Sequence, residues 1–171
     1  MSIDANILKT VIAAELAGLS DERIIDHIRA HLIEPAPELK DWDWGDAGQQ
    51  YPCWIVFTHA SSNTGIAYCE HGFGPRCPWG LLWIGGEGKP LSMGQDSAWF
   101  TSFMETYFNS MAVSDLPIWR VFEKDGNGKR TPISGEGGWD EMWAEVLELR
   151  KRNPERYFDC ASDAAVRYLY E

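Results

Sequence analysis

The spacing of the hydrophobic residues changes along the chain, and this change restricts the fold more than any other feature. Over residues 7–32 the apolar side chains recur at helical spacing, which places them on one face of a helix. Gly18 interrupts the segment, Ser20 is a good helix cap, and Pro35 stops a helix. We therefore predict two helices that form a hairpin within residues 1–34.

From residue 51 onward, short runs rich in β-branched and aromatic residues replace the helical spacing. Residues 54–59 and 66–68 flank the turn sequence ASSNTG, which predicts a β-hairpin. Residues 80–84 and 117–124 have the same composition and predict further strands. Together these runs predict an antiparallel meander of about four or more strands. The hydrophobic residues within 38–51 follow neither helical nor strand spacing, and we expect a loop or a short edge strand there.

A second helical stripe lies between the predicted strands. It predicts a helix over residues 97–111, capped by Asp96 or Ser97, whose apolar face belongs to the core. The stripe consists of Phe100, Phe103, Met104, Tyr107, Phe108 and Met111.

The end of the chain adds further helical segments. Residues 139–150 have helical spacing, and the tail from Pro154 is expected to end as a helix. Alternation of helices and sheet-forming runs predicts an α+β fold. We predict a single globular domain over residues 1–171, in which residues 51–171 supply the sheet and its packing helices.

The charge of the chain restricts its partners. The formal net charge is -11, and residues 1–50 carry ten acidic and four basic residues. Such a chain repels phosphate backbones, so we expect no nucleic-acid partner and instead a protein partner with a basic surface. The start of the chain carries charges at helical spacing, so we expect neither an export signal nor a membrane span. This predicts a cytoplasmic protein with reduced cysteines.

Residues 69–80, CEHGFGPRCPWG, concentrate chemically reactive side chains. Cys69, His71 and Cys77 offer three zinc ligands, and Cys53 or His59 on the preceding strand offers a fourth. In a regular strand Cys53 and His59 share one face, as Cys69 and His71 do. The spacing C-x-H-x5-C nevertheless differs from known zinc patterns, and there is no second cysteine pair. We therefore predict no metal and no other cofactor.

The same stretch carries an alternative enzyme hypothesis. A small hydrolase or metal-dependent enzyme would be centred on residues 53–79, with a site formed by Cys69, His71, Cys77, His59 and Glu70. A redox pair of Cys69 and Cys77 lacks the C-x-x-C spacing that lowers a thiol pKa. The alternative is that residues 69–80 have only a structural role, as a stiff connection between two strands that contains two prolines and three glycines.

Two further stretches resemble ligand-binding loops only in composition. Residues 84–90, IGGEGKP, lack the phosphate-binding pattern G-x-x-x-x-G-K-[ST]. Residues 125–136 place Lys129 and Arg130 where a calcium-binding loop needs an oxygen ligand and a glycine. We predict a hairpin turn at 125–129.

Aromatic and charged residues outside the predicted core indicate where a partner binds. Tryptophan and arginine anchor many protein interfaces, and nine tryptophans are many for a chain of 171 residues. The predicted partner-binding residues are Trp42, Asp43, Trp44, Phe73, Arg76 and Trp79.

Three functional hypotheses follow. In size, acidity, tryptophan content and predicted α+β class, the chain resembles bacterial immunity or antidote proteins, which occlude a toxin domain. That resemblance implies a non-enzymatic cytosolic protein that binds and occludes a basic partner. The second hypothesis is the small hydrolase or metal-dependent enzyme, and the third is a homo-oligomeric structural protein whose tryptophans form a self-interface.

Overall fold

The computed structural model describes residues 3–84, 92–95 and 97–170 of the chain. Two predictions fall elsewhere: residues 85–90 of the glycine-rich stretch and the cap Asp96 lie outside the described residues. The chain divides into two compact units, Met1–Val113 and Ser114–Glu171. Both combine helices with antiparallel strands, so the predicted α+β class is confirmed. The single-domain organisation stays a prediction.

The first unit begins with the predicted helical hairpin. Its helices are α1, Ala5–Leu16, and α2, Glu22–His31. The Asp4 carboxylate accepts a hydrogen bond from the Ile7 amide and begins α1. Asp21, rather than the predicted Ser20, caps α2 by accepting from the Arg23 amide. Each helix turns an apolar stripe inward: Leu8, Ile12 and Leu16 from α1, and Ile24, Ile25 and Ile28 from α2.

The large sheet of the first unit is mostly antiparallel. Its strands are β1 (Leu32–Trp42), β2 (Gln50–His59), β3 (Thr64–Tyr68), β4 (Trp79–Trp83), β5 (Ser92–Met93) and β6 (Ala98–Phe100). Their order in space is β5, β1, β2, β3, β4, β6. The neighbours from β1 to β6 pair antiparallel, and the short β5 pairs parallel to β1. The predicted antiparallel sheet is therefore confirmed.

Strand β1 corrects the prediction for the segment after α2. The chain passes directly from His31 into the strand, so Pro35 lies within a strand instead of ending a helix. In the described part of the chain, β5 pairs with β1 at Asp41 and Trp42, which leaves the start of β1 at the sheet edge. Proline is tolerated there because an edge strand has amides that need no sheet partner.

A β-bulge in β2 reverses which residues share a face. Ile55 pairs with Ala67, but Phe57 pairs with Ile66, so the extra residue Val56 shifts the alternation by one. Cys53 and Ile55 therefore face one side of the sheet, and Phe57 faces the other. The prediction that Cys53 and His59 share a face is wrong for this reason.

The two faces of the sheet are covered differently. On the helix face, the Phe57 ring contacts the rings of Phe103 and Tyr107 at centroid distances of 6.3 Å and 5.9 Å. On the opposite face, which we call the loop face, a buried cluster contains Cys53, Ile55, Ala67, Cys69, Leu82 and Met93. The partly buried rings of Trp42, Tyr51 and Trp99 pack against this cluster.

The predicted helix over residues 97–111 is shorter than its hydrophobic stripe. Residues 98–100 form β6, and helix α3 spans Phe103–Phe108. Ser102 caps α3 by accepting from the Glu105 amide, and Glu15 of α1 accepts from the Met104 amide at 2.8 Å. The core role of the stripe is confirmed within α3, where Phe103, Met104 and Tyr107 are fully buried.

The second unit is a three-stranded antiparallel sheet with two helices. Its elements are β7 (Trp119–Lys124), β8 (Arg130–Pro132), α4 (Trp139–Arg152), β9 (Tyr157–Ser162) and α5 (Asp163–Tyr170), with β7 at the centre of the sheet. The predicted turn after β7 is confirmed: the Asp125 carboxylate accepts from the amides of Asn127 and Lys129. The tail ends helical as predicted, but β9 precedes that helix.

Candidate functional site

Three aromatic residues come together where β1 ends, and we call them the aromatic surface: Trp42, Trp44 and Phe73. The ring centroids lie 5.1 Å apart for Trp42 and Trp44, 5.1 Å for Trp42 and Phe73, and 5.5 Å for Trp44 and Phe73. All three pairs pack edge to face, a favourable arrangement for aromatic rings. Trp44 is 55% exposed and Phe73 39% exposed, so the cluster presents apolar rings to solvent.

Local backbone geometry holds these rings in place. The Trp42 amide donates to the Gln49 carbonyl at 3.0 Å, which closes the loop that carries Trp44. Gly72 has a φ of +72°, and a Cβ atom there would lie 2.9 Å from the Trp42 ring. Glycine is therefore needed for the close approach that places the next residue, Phe73, on Trp42.

Acidic side chains surround the aromatic surface along the chain. Asp41, Asp43 and Asp46 alternate with the two tryptophans, and Asp43 and Asp46 are exposed. Two of the carboxylates also organise the loop: Asp43 accepts from the Gln95 amide at 2.8 Å, and Asp41 accepts from the Gln50 side-chain amide at 2.7 Å. The loop thus combines apolar rings with negative charge in one fixed arrangement.

The remaining predicted partner-binding residues differ in placement. Arg76 is exposed in the loop after β3. Trp79 is only 2% exposed and packs against Phe103 and Tyr68 at centroid distances of 5.5 Å and 5.1 Å. Trp79 is therefore a core residue of the helix face and does not belong to an exposed binding surface.

The structure places the side chains of the enzyme hypothesis in different surroundings. Cys69 is buried on the loop face, whereas His59 lies on the helix face, where its imidazole contacts the Ser61 and Ser62 hydroxyls. His71 is exposed and stacks on the Tyr51 ring at 4.9 Å. Glu70 accepts from the Tyr68 hydroxyl, and Cys77 is half-buried. His59 therefore lies on the opposite face of the sheet from Cys69, and the enzyme hypothesis stays a prediction.

Cys69 instead contacts Cys53. The Cys53 thiol hydrogen-bonds to Cys69, which lowers the pKa of Cys69, and the same contact together with burial raises the pKa of Cys53. The Cys53 thiol donates a hydrogen bond to the Met93 Sδ atom at 2.9 Å, so Met93 belongs to the same cluster. The sequence places these three sulfur atoms far apart, so spacing alone does not reveal the cluster.

Three of the four histidines form a second cluster that the sequence analysis missed. His27 and His31 lie one turn apart on α2, with ring centroids 4.4 Å apart, and His59 lies 5.4 Å from His31. The Nδ1 atom of His27 lies 2.9 Å from the Tyr107 hydroxyl. The i, i+4 spacing of His27 and His31 was the available signal, because such residues are neighbours on a helix.

Metal binding was one alternative for Cys69, His71 and Cys77, together with Cys53 or His59. Across residues 3–84, 92–95 and 97–170, no group of three or more His, Cys, Asp or Glu side chains is arranged to hold a metal ion. We expect elemental analysis of protein purified without chelator to find far less than one zinc ion per chain. A content close to one zinc per chain would contradict this prediction and favour the enzyme hypothesis.

A groove of about 640 Å³ lies between α1, α2 and the start of β1. Its walls are mainly apolar, with Ile12, Leu16 and Ile25 among them, and Lys9 and Arg29 also line it. Both cations have acidic neighbours: Lys9 pairs with Glu34, and Arg29 lies 3.6 Å from Asp26. The groove therefore shows no uncompensated charge that would select a ligand.

Comparison with known proteins gives no family for this chain. No helix among the described residues has the length and apolar character needed to cross a membrane. No protein-family model matches the sequence, and neither the curated proteins nor the solved structures contain a significant match. The functional argument therefore rests on the residues of this chain.

Proposed function

We propose that this chain is a non-enzymatic protein-binding protein that occludes a partner with a basic surface. The observation that carries the proposal is the aromatic surface, in which two exposed rings and Trp42 pack together beside the carboxylates of Asp41, Asp43 and Asp46. Buried aromatic anchors supply most of the binding energy in many protein interfaces.

The rings of the aromatic surface are already held in place before a partner binds, which favours a binding function. The rings of Trp42 and Phe73 are already fixed by contacts with each other, and Phe73 also stacks on Trp99 at 5.4 Å. Binding to a surface whose side chains are already ordered loses less conformational entropy than binding to mobile side chains. An exposed, ordered group of aromatic rings is therefore a better anchor than the same residues in an unstructured loop.

Charge determines the kind of partner. Ten acidic and four basic residues in the first fifty positions give this part of the chain a negative field, and complementary charge accelerates association with a positive surface. Lysine and arginine side chains also bind the faces of tryptophan rings. An immunity-type role in the cytoplasm is the biological form of this proposal, supported by the acidity and the tryptophan content.

Selection from a random peptide library displayed on phage tests the proposal without a known partner. We expect peptides retained by the wild-type protein to be enriched in lysine, arginine and aromatic residues relative to the unselected library. Trp44→Ala should remove that enrichment. The matched control is Trp83→Ala, because Trp83 is 54% exposed but lies at the opposite end of β4 from the loop that carries Phe73.

Two outcomes would contradict the proposal. One is enrichment of acidic peptides, or none, with the wild-type protein. The other is equal loss of enrichment in both tryptophan variants. A concentration-dependent dimer that Trp44→Ala abolishes, measured by analytical ultracentrifugation, would assign the aromatic surface to the homo-oligomer hypothesis instead.

A further inference from the structure

Cys53 and Cys69 face each other across two neighbouring strands. Trp54 pairs with Tyr68 and Ile55 with Ala67, and continuing this register by one residue places Cys53 opposite Cys69. The Cys69 amide donates to the Pro78 carbonyl at 2.8 Å, toward the β4 side of the sheet. Toward β2, Cys69 therefore occupies a non-hydrogen-bonded position of the antiparallel pair.

This position suits a covalent bond between the two sulfur atoms. The Cα atoms of a non-hydrogen-bonded pair lie about 4.5 Å apart, and its side chains are closer than in a hydrogen-bonded pair. A disulfide requires Cα atoms about 4.4–6.8 Å apart. The bond can therefore form with little movement of the backbone.

The two thiols differ in chemical character. The side-chain hydrogen bond between the two thiols, with a smaller contribution from the His71 amide, lowers the pKa of Cys69. The same contact and burial keep Cys53 protonated and raise its pKa.

We propose that Cys53 and Cys69 form a modification site at which hydrogen peroxide drives a reversible disulfide bond. The Cys69 thiolate attacks one oxygen atom of the peroxide, the O–O bond breaks, and hydroxide leaves, which gives a sulfenic acid at Cys69. The Cys53 sulfur then attacks the Cys69 sulfur, the S–O bond breaks, and water leaves with the Cys53 proton. The hydroxide takes up the proton that Cys69 lost on becoming a thiolate, so two thiols and one peroxide yield one disulfide and two waters.

The burial of the two thiols restricts the size of the oxidant that can reach them. Cys53 is 0% and Cys69 1% exposed, and the rings of Trp42, Tyr51 and Trp99 pack on the cluster that contains them. An oxidant therefore reaches the thiols only when this cover opens, and a peroxide needs a smaller opening than a bulky disulfide reagent does. Cys160 makes the contrast clear, because burial raises its pKa to about 12 and leaves it a protonated, unreactive thiol.

Peptide mapping by mass spectrometry tests the proposal. Reduced wild-type protein is treated with equimolar hydrogen peroxide under native conditions, and the remaining thiols are alkylated after unfolding. We expect a cross-link between the peptides of Cys53 and Cys69, a mass loss of two hydrogen atoms, and alkylated Cys77 and Cys160. Dithiothreitol should restore all four thiols.

Single cysteine variants distinguish the order of the two steps. Cys53→Ala should stop the reaction at the sulfenic acid, which a 1,3-dione reagent traps at Cys69. Cys69→Ala should leave Cys53 unoxidised, and the control Cys160→Ser should form the cross-link at the wild-type rate. The wild-type mapping is decisive by itself if either alanine variant fails to fold.

The proposal is overturned if peroxide leaves Cys53 and Cys69 fully alkylatable in the folded protein. It is also overturned if the reaction joins Cys77 to another chain, or oxidises Met93, before Cys53 and Cys69 cross-link. None of these results depends on the proposed binding function.

Discussion

Replacement of Phe103 by alanine is expected to lower the free energy of unfolding by about 3–5 kcal/mol, the range for removal of a buried aromatic side chain. Phe103 is fully buried in α3 and contacts the rings of Phe57 and Trp79. Its removal loses apolar burial and leaves a cavity between the helix and the sheet, because both neighbouring rings are fixed in strands. Urea unfolding, monitored by circular dichroism, measures the change.

Met111 provides the control for this prediction. It belongs to the same hydrophobic stripe in the sequence, but it follows the end of α3 and is 59% exposed. Met111→Ala should change the free energy of unfolding by less than about 0.5 kcal/mol, as surface substitutions usually do. If Phe103→Ala costs less than about 1 kcal/mol, the assignment of α3 to the core is wrong.

Loss of the Trp44 ring is expected to accelerate dissociation of a selected basic peptide by about 30-fold or more. Truncation of an interface hot spot costs about 2 kcal/mol or more, and each 1.4 kcal/mol is a factor of ten in affinity. Most of that change appears in the dissociation rate. Trp44 is the suitable position because it is 55% exposed, so its removal disturbs the fold less than removal of the half-buried Trp42.

Surface plasmon resonance measures the dissociation rates for Trp44→Ala and its control. Trp83→Ala removes a ring of nearly equal exposure from the far end of β4 and should leave the rate within a factor of two of wild type. Equal acceleration in both variants would show that the effect comes from a general loss of stability rather than from a lost anchor.

The helices show what a sequence predicts well. The hairpin of α1 and α2 was predicted because apolar residues recur at helical spacing on both sides of Gly18, although Asp21 rather than Ser20 caps α2. The start of α3 was predicted six residues too early, although Ser102 and Glu105 form the S-x-x-E pattern that signals a helix start. The aromatic stripe concealed this signal, because its first member, Phe100, belongs to β6 and not to the helix.

The candidate site depends on contacts that the sequence does not show. Trp42 and Trp44 were predicted to bind a partner because they alternate with acidic residues, and the structure adds Phe73 to them across a chain separation of about thirty residues. The pairing of Cys53 with Cys69 follows from the sheet register, and the bulge at Val56 moves His59 away from them. A bulge is set by packing on both faces of the sheet and has no fixed sequence signal.

The association rate of a basic ligand, measured across a salt series, tests the central claim most directly. The ligand is a selected peptide, and the test variant carries Asp41→Asn, Asp43→Asn and Asp46→Asn, which keep side-chain oxygen acceptors for the loop. Its control replaces three exposed acids of the second unit, as Asp140→Asn, Glu145→Gln and Glu155→Gln, so both variants lose the same formal charge.

At low salt we expect the test variant to associate at least about tenfold more slowly than wild type, because steering enhances association rates by about 10-fold or more. The control triple should remain near the wild-type rate. Raising the salt from 0.1 M to 1 M shortens the screening length from about 10 Å to about 3 Å, so the two triples should converge. A wild-type association rate that is indifferent to both salt and the triple asparagine change would contradict the account and leave the acidity as a determinant of solubility alone.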